Sequence, residues 1–138
     1  MATRSNIGMV NKDGSITAIY VHWDGYLEHV GNILLNHYNT VEIVTDLLKL
    51  GNLSSLYENL YPTESHTFDK PQEGVCVAYG RDRGEKNQNA EVFKDLNEYD
   101  AMADNTGADY QYLYENGEWR YRNTYDGNWN KLTVDDCV

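Results

Sequence analysis

The sequence predicts a single α+β domain, and three observations carry that prediction. β-prone runs flank turn dipeptides near both ends of the chain: Asp13-Gly14 between residues 4–10 and 15–22, then Asn116-Gly117 and Asp126-Gly127. Such dipeptides accept the positive φ of a tight hairpin turn, so each marks a strand reversal. Between them, apolar side chains recur at helical spacing. The length, 138 residues, is that of one domain with a modest core. With no internal repeat and no linker, one α+β domain spans 1–138, and 134–138 form a loose tail.

In chain order, the N-terminal hairpin comes first. Asp24-Gly25 then ends the second strand, and Asp24 is placed to cap a helix running to about Tyr38. Tyr26, Val30, Ile33, Leu34 and His37 share one face of that helix, so His37 is expected as a satisfied core histidine. Asn39-Thr40 caps a second helix with the stripe Val41, Val44, Leu47 and Leu48, closed by Gly51. Leu53–Leu60 suggests one or two further turns, and 61–74, with Pro62 and Pro71, suggests a loop. Residues 75–79 are short, apolar and β-branched, which predicts a buried strand. Residues 90–103 show helical spacing again, with Val92, Leu96, Tyr99 and Ala103 on one side and Glu91, Asp95 and Glu98 opposite. The last third predicts an antiparallel meander. Its first turn sets Tyr114 opposite Trp119 and Tyr112 opposite Tyr121, with Arg120 and Arg122 on the other face and a third strand near 128–134.

Composition narrows the function classes. The chain carries 22 acidic and 11 basic residues, a net charge of −11. Affinity for nucleic acid or an anionic membrane needs clustered Lys and Arg, so direct nucleic-acid or membrane binding is not expected. A basic protein partner, or simple solubility, fits the charge. The twelve tyrosines and three tryptophans supply aromatic surface as well as aromatic core. Two distant cysteines make no disulfide framework; Cys76 is expected as a buried thiol and Cys137 on the tail. No apolar stretch has signal-peptide or membrane-span length, so a reducing, cytoplasmic setting is the expectation.

Two stretches concentrate charged and aromatic groups at strand ends: His22-Trp23-Asp24-Gly25-Tyr26 and Tyr79-Gly80-Arg81-Asp82-Arg83-Gly84-Glu85. Together with Arg4-Ser5-Asn6-Ile7-Gly8 they resemble a family of small bacteriophage and prophage proteins without an established biochemical activity. The resemblance covers roughly residues 4–85 and transfers no catalytic assignment. It implies context: a phage accessory gene acting in the host cytoplasm, where such genes commonly serve host takeover or evasion of host defence.

Each constellation has two readings. Arg81 and Arg83, with glycine-permitted backbone around them, would present forked donors to an anion. Alternatively they pair with Asp82, Glu85 or acids of 91–109 and pin a loop. The glycine spacing and missing lysine exclude a Walker loop and a dinucleotide fingerprint. His22 and Asp24 alternate along a strand; with His66, Asp82 or Glu85 they would hold a metal, or act alone as an acid–base pair. The opposing reading is a hydrogen-bonded histidine with Asp24 as a cap and Trp23 in the core. No nucleophile motif is present. Glu91, Asp95 and Glu98 form either an acidic partner surface that imitates a nucleic-acid backbone or a solvated helix face.

The expectation is a non-enzymatic phage protein that needs no cofactor and binds either a host protein, inhibiting it, or a small anionic host molecule, sequestering it. Arg81, Arg83, His22, Asp24 and Tyr26 form its ligand or partner site, with Glu91, Asp95 and Glu98 as the acidic surface. A small His/Asp- or metal-dependent hydrolase acting on a nucleotide-like substrate, and a virion component, are the alternatives. A homodimer would suit the aromatic C-terminal sheet.

Overall fold

A computed structural model describes residues 2–138. The N-terminal hairpin joins β1 (Ser5–Val10) to β2 (Ile16–Val21) in antiparallel register, with Gly14 at φ 88° in the turn. A π-helical turn (Leu27–Gly31) runs into α1 (Asn32–His37), and α2 spans Val41–Lys49. Thr40 caps α2 by accepting from the Ile43 amide at 3.2 Å, the role its sequence position predicts. Then come β3 (Leu53–Ser55), β4 (Val77–Ala78), α3 (Tyr79–Arg83), β5 (Glu91–Phe93) and α4 (Leu96–Thr106). The meander β6 (Tyr110–Glu115), β7 (Glu118–Asn123) and β8 (Trp129–Lys131) ends in a 3₁₀ turn, Val134–Cys137.

All eight strands make one mixed sheet in the order β4-β3-β2-β1-β6-β7-β8, with β5 also on β2. The fold is α+β, as its turn chemistry predicts. Asn116 (φ 52°) and Gly117 (φ 79°) take the two positive-φ turn positions, and Tyr114 meets Trp119 while Tyr112 meets Tyr121. The central pairing is parallel: β1 lies beside β6 with Ile7 against Tyr112.

Two apolar layers cover the sheet. On one face, Val30, Leu34, Val44, Leu47 and Leu48 pack against Ile7, Ile19, Val21, Tyr112 and Trp119. On the other, Tyr99 and Met102 of α4 cover Ile16, Ala18 and Leu113. Full burial of such side chains contributes about 1.5–3 kcal/mol each. The aromatic polar ends are satisfied: Tyr99 Oη donates to Tyr112 O (2.7 Å), and Trp119 Nε1 donates to Tyr38 O (2.7 Å). No helix among the described residues is long and apolar enough to cross a membrane.

Several expectations change. Leu53–Ser55 is a strand rather than a helical turn, because Leu53 docks beside Val21 at the sheet edge. The helix expected over 90–103 divides: residues 91–93 pair with β2, and the helix starts at Leu96 with Asp95 as its cap. The outer edge of β2 is thus shared by β3 and β5, and Asn52 bridges the gap, accepting from Tyr20 N (2.9 Å) and donating to Gln88 Oε1 (3.1 Å). Cys137 is buried instead of lying on a loose tail, since Thr133 and Asp136 cap the final turn reciprocally. Trp23 is 44% exposed and His37 is exposed, so neither is core. The first helix opens with a wider turn than α-helical spacing assumes, which rotates His37 outward.

Gly51 and Gly117 both have positive φ but differ in surroundings. A Cβ on Gly51 would sit 2.0 Å from Gln88 O, whereas nothing lies within 4 Å of one on Gly117. Urea unfolding should show Gly117→Ala costing about 1–2 kcal/mol, the left-handed penalty alone. Gly51→Ala should cost at least about 3 kcal/mol, because a backbone carbonyl must also move.

Candidate functional site

The block Tyr79–Glu85 follows β4 as a single helical turn, α3, closed by Gly84 in the left-handed conformation. Arg81 lies over the chain it came from. Its Nε and Nη2 donate to Asp82 Oδ1 (2.9 Å) and Oδ2 (3.1 Å), Nη2 also to Cys76 O (2.8 Å), and Nη1 to Leu60 O. Asp82 in turn accepts from the Ala78 amide (2.8 Å) and faces His66 Nε2 at 3.2 Å. The His66 side chain is buried, and its Nδ1 accepts from Gln72 N (2.9 Å), which leaves the ring proton on Nε2, facing Asp82. The Arg81–Asp82–His66 cluster therefore ties residues 60–72 to α3. Burial pushes the Asp82 carboxyl up, but the Arg81 guanidinium, the Ala78 amide and His66 outweigh it and hold it below the usual carboxylate range.

Arg83 is half exposed. It pairs with Glu85 and its guanidinium stands 4.3 Å from the Phe68 ring centre and 5.1 Å from that of Tyr79. The two arginines thus make the pairings with Asp82 and Glu85 that their spacing suggests for a pinned loop.

The block His22–Tyr26 leaves the end of β2. His22 Nδ1 meets Tyr20 Oη at 2.7 Å, and the His22 ring packs edge-on against Trp23 with centres 4.7 Å apart. Burial, and then the Arg4 guanidinium, lower the His22 titration, so the ring is neutral at pH 7. Asp24 adopts φ 57°, which breaks the strand alternation expected to align it with His22. It makes no side-chain cap to the following helix; its carboxylate instead accepts from Tyr26 Oη at 3.3 Å. His22 and Asp24 are each satisfied by a tyrosine. No group of three or more His, Cys, Asp or Glu side chains arranged to hold a metal occurs among the described residues.

Of the acidic surface, Glu91 lies in β5. Asp95 caps α4 by accepting from the Glu98 amide (3.0 Å), and the Glu98 carboxylate accepts from the Lys94 amide just before the cap (3.0 Å). All three remain at least partly exposed, but not as a stripe on one helix. Three surface clefts of about 320, 580 and 400 Å³ open elsewhere, the largest between the tips of the two main hairpins. None is lined by Arg81, Arg83, His22, Asp24 or Tyr26. A grouping that the sequence does not announce joins the second block to the start of the meander: Tyr26 and Asp24 at one side, Asp109, Tyr110 and Tyr125 at the other. Its members come from three distant segments, and only the sheet topology brings them together.

No family model, curated protein or solved structure matches the chain.

The geometry makes the Arg81 cluster testable as a structural tie. Arg81→Ala leaves the Leu60 and Cys76 carbonyls and the Asp82 carboxylate short of donors, and should cost about 2–3 kcal/mol in chemical denaturation. Because the folded Asp82 carboxyl titrates below its unfolded value of about 3.9, its contribution is complete above that pH and is lost as pH falls through the folded value. Protection of the Ala78 amide, which donates to Asp82 Oδ2, from hydrogen exchange should drop on acidification below about pH 4. Asp82→Asn should lower that protection at pH 7 and flatten its acid dependence.

Proposed function

We propose that the protein is a non-enzymatic phage accessory protein that binds, and thereby inhibits, a host protein bearing a basic surface. The single observation that carries this reading is that three of its five arginines are engaged within the chain. Arg81 is bonded to Leu60, Cys76 and Asp82, Arg83 to Glu85, and Arg122 to Gln111 and the Asp100 carbonyl. With Arg81 and Arg122 bonded to backbone carbonyls and side chains of the fold, Arg83 neutralised by Glu85 at the surface, and a net charge of −11, the outward field is acidic. A small anion would have to compete with two carbonyls and a carboxylate for Arg81, which favours a cationic partner over an anionic ligand. The phage setting rests on the resemblance carried by the residue blocks at 4–8, 22–26 and 79–85. Inhibition follows from occupancy: an acidic surface seated on a basic groove excludes that groove's own anionic ligand.

The test is capture of host proteins from a bacterial lysate by the tagged full chain. One stoichiometric basic protein should be retained at about 0.15 M salt and released near 1 M, where the screening length falls to about 3 Å. A partner indifferent to salt, or a small anion released on denaturation and lost with Arg81→Ala plus Arg83→Ala, would overturn the reading.

A further inference from the structure

We infer that the end of the sheet carrying Asp24, Tyr26, Glu28, Asp109, Tyr110 and Tyr125 docks an arginine-bearing segment of the basic partner, seating guanidinium groups between tyrosine rings and carboxylates. The inference rests on the function proposed above and names where the contact is made.

The topology builds this surface. Val21 and Tyr110 are both register partners of Ser5, one on each side of β1. The chain leaving β2 and the chain entering β6 therefore meet at the same end of the sheet. Gly25 N donates to Thr3 O (2.8 Å), Asp109 N to Arg4 O (2.8 Å), and Thr124 N to Asp109 O (3.0 Å), which sets Tyr125 beside Asp109. Two phenol–carboxylate bonds then fix the exposed rings: Tyr26 Oη to Asp24 Oδ1 at 3.3 Å and Tyr125 Oη to Asp109 Oδ1 at 3.1 Å. Tyr26 is 37% exposed and Tyr125 84%. Tyr110, which follows Asp109 and opens β6, is half-buried.

Among the described residues, the charge on this surface is one-signed. Asp24 and then, more weakly, Glu28 raise the Tyr26 titration, and burial, Glu28 and Asp109 raise that of Tyr110. The bond and charge of Asp109 do the same for Tyr125. Glu28 thus adds its charge to both Tyr26 and Tyr110, and the two phenol–carboxylate pairs stand at the same end of the sheet. The bordering basic groups are directed elsewhere: Arg4 lies against Gly107 on the α4 side, and His29 Nε2 is engaged with Leu56 O at 3.0 Å.

The chemistry selects the occupant. A ring held by its own hydroxyl keeps its face open and loses little conformational freedom on binding. A planar guanidinium stacks on such a face and can still bond a neighbouring carboxylate through its forked N–H groups. A lysine ammonium provides the charge without the plane. Aromatic rings beside carboxylates that meet no cation among the described residues are therefore complementary to arginine more than to lysine.

The test is a two-dimensional NMR titration of the full chain with octa-arginine, and separately with octa-lysine. Octa-arginine should shift Tyr26, Tyr110 and Tyr125 saturably, and octa-lysine should bind several-fold more weakly. Tyr125→Ala, and the pair Asp24→Asn with Asp109→Asn, should each weaken octa-arginine binding at least about tenfold. Asn tolerates the backbone of Asp24, and the same spectra report that each variant is folded. Glu91→Gln with Glu98→Gln should leave affinity within about twofold, since those acids lie outside this surface. Shifts spread evenly over every acidic face, or wild-type affinity in the surface variants, would overturn the inference. A basic host protein captured equally well by the surface variants would sink this docking site and leave the proposed function standing. Octa-arginine binding that depends on this surface, without any basic host partner, would do the reverse.

Discussion

The architecture depends on one buried row of polar side chains. Asn6, Gln111 and Arg122 are register partners across β1, β6 and β7. Gln111 Nε2 donates to Asn6 Oδ1 (3.0 Å) and to Tyr99 O (2.7 Å), while Arg122 donates to Gln111 Oε1 from Nε (3.0 Å) and Nη2 (2.6 Å). Asn6 Nδ2 completes the row on Thr106, and Arg122 Nη2 on the Asp100 carbonyl, so both ends are anchored in α4. An apolar sheet core would tolerate a slip of two residues, since every side chain would return to the same face. This row would not, because a slip strands a buried amide and a buried guanidinium without partners. The polar row thus specifies the pairing that apolar burial alone stabilises.

That pairing has long reach. β1 and β6 are separated by about a hundred residues, and joining them sets the N-terminal hairpin beside the C-terminal meander. It decides what the end of the sheet looks like. Ser5 becomes the shared neighbour of Val21 and Tyr110, and so the chain around Asp24 and the chain around Asp109 come to face the same solvent. The same logic holds at the opposite edge. There β2 lacks a full-length outer neighbour, and Asn52 supplies hydrogen bonds where β3 and β5 leave a break. Side-chain amides do in both places what a longer strand would otherwise do.

This division explains what the sequence discloses and what it withholds. Turn chemistry is local, so Asp13-Gly14 and Asn116-Gly117 declare both hairpins and their cross-strand pairs. Thr40 declares its helix by the same local means. Leu53–Ser55 and Glu91–Phe93 are strands only because β2 offers an edge, and three residues are too few to show a period of two. The helical spacing from Val92 to Ala103 runs through Asp95, yet Asp95 and Glu98 form an Asp-x-x-Glu cap that marks the true start. The pairing of Arg81 with Asp82 and of Arg83 with Glu85 is legible because each pair is adjacent or nearly so. The contribution of His66, sixteen residues away from Asp82, depends on how a proline-containing loop folds back. The tyrosine–carboxylate surface is less legible still, since its three segments lie at 24–28, 109–110 and 125.

The two kinds of charged cluster illustrate opposite uses of carboxylates. Asp82 is enclosed by a guanidinium, an amide and a histidine; its charge is consumed, and the surrounding loop gains a fixed position. Asp24 and Asp109 each accept one phenolic hydrogen bond, which orients a ring without neutralising the acid. A neutral donor of that kind leaves the field of the carboxylate directed outward, where a counter-charge must come from another molecule. In a chain with twice as many acids as bases, the location of the few arginines therefore decides where such fields survive. They survive where tyrosine, rather than arginine, is the partner.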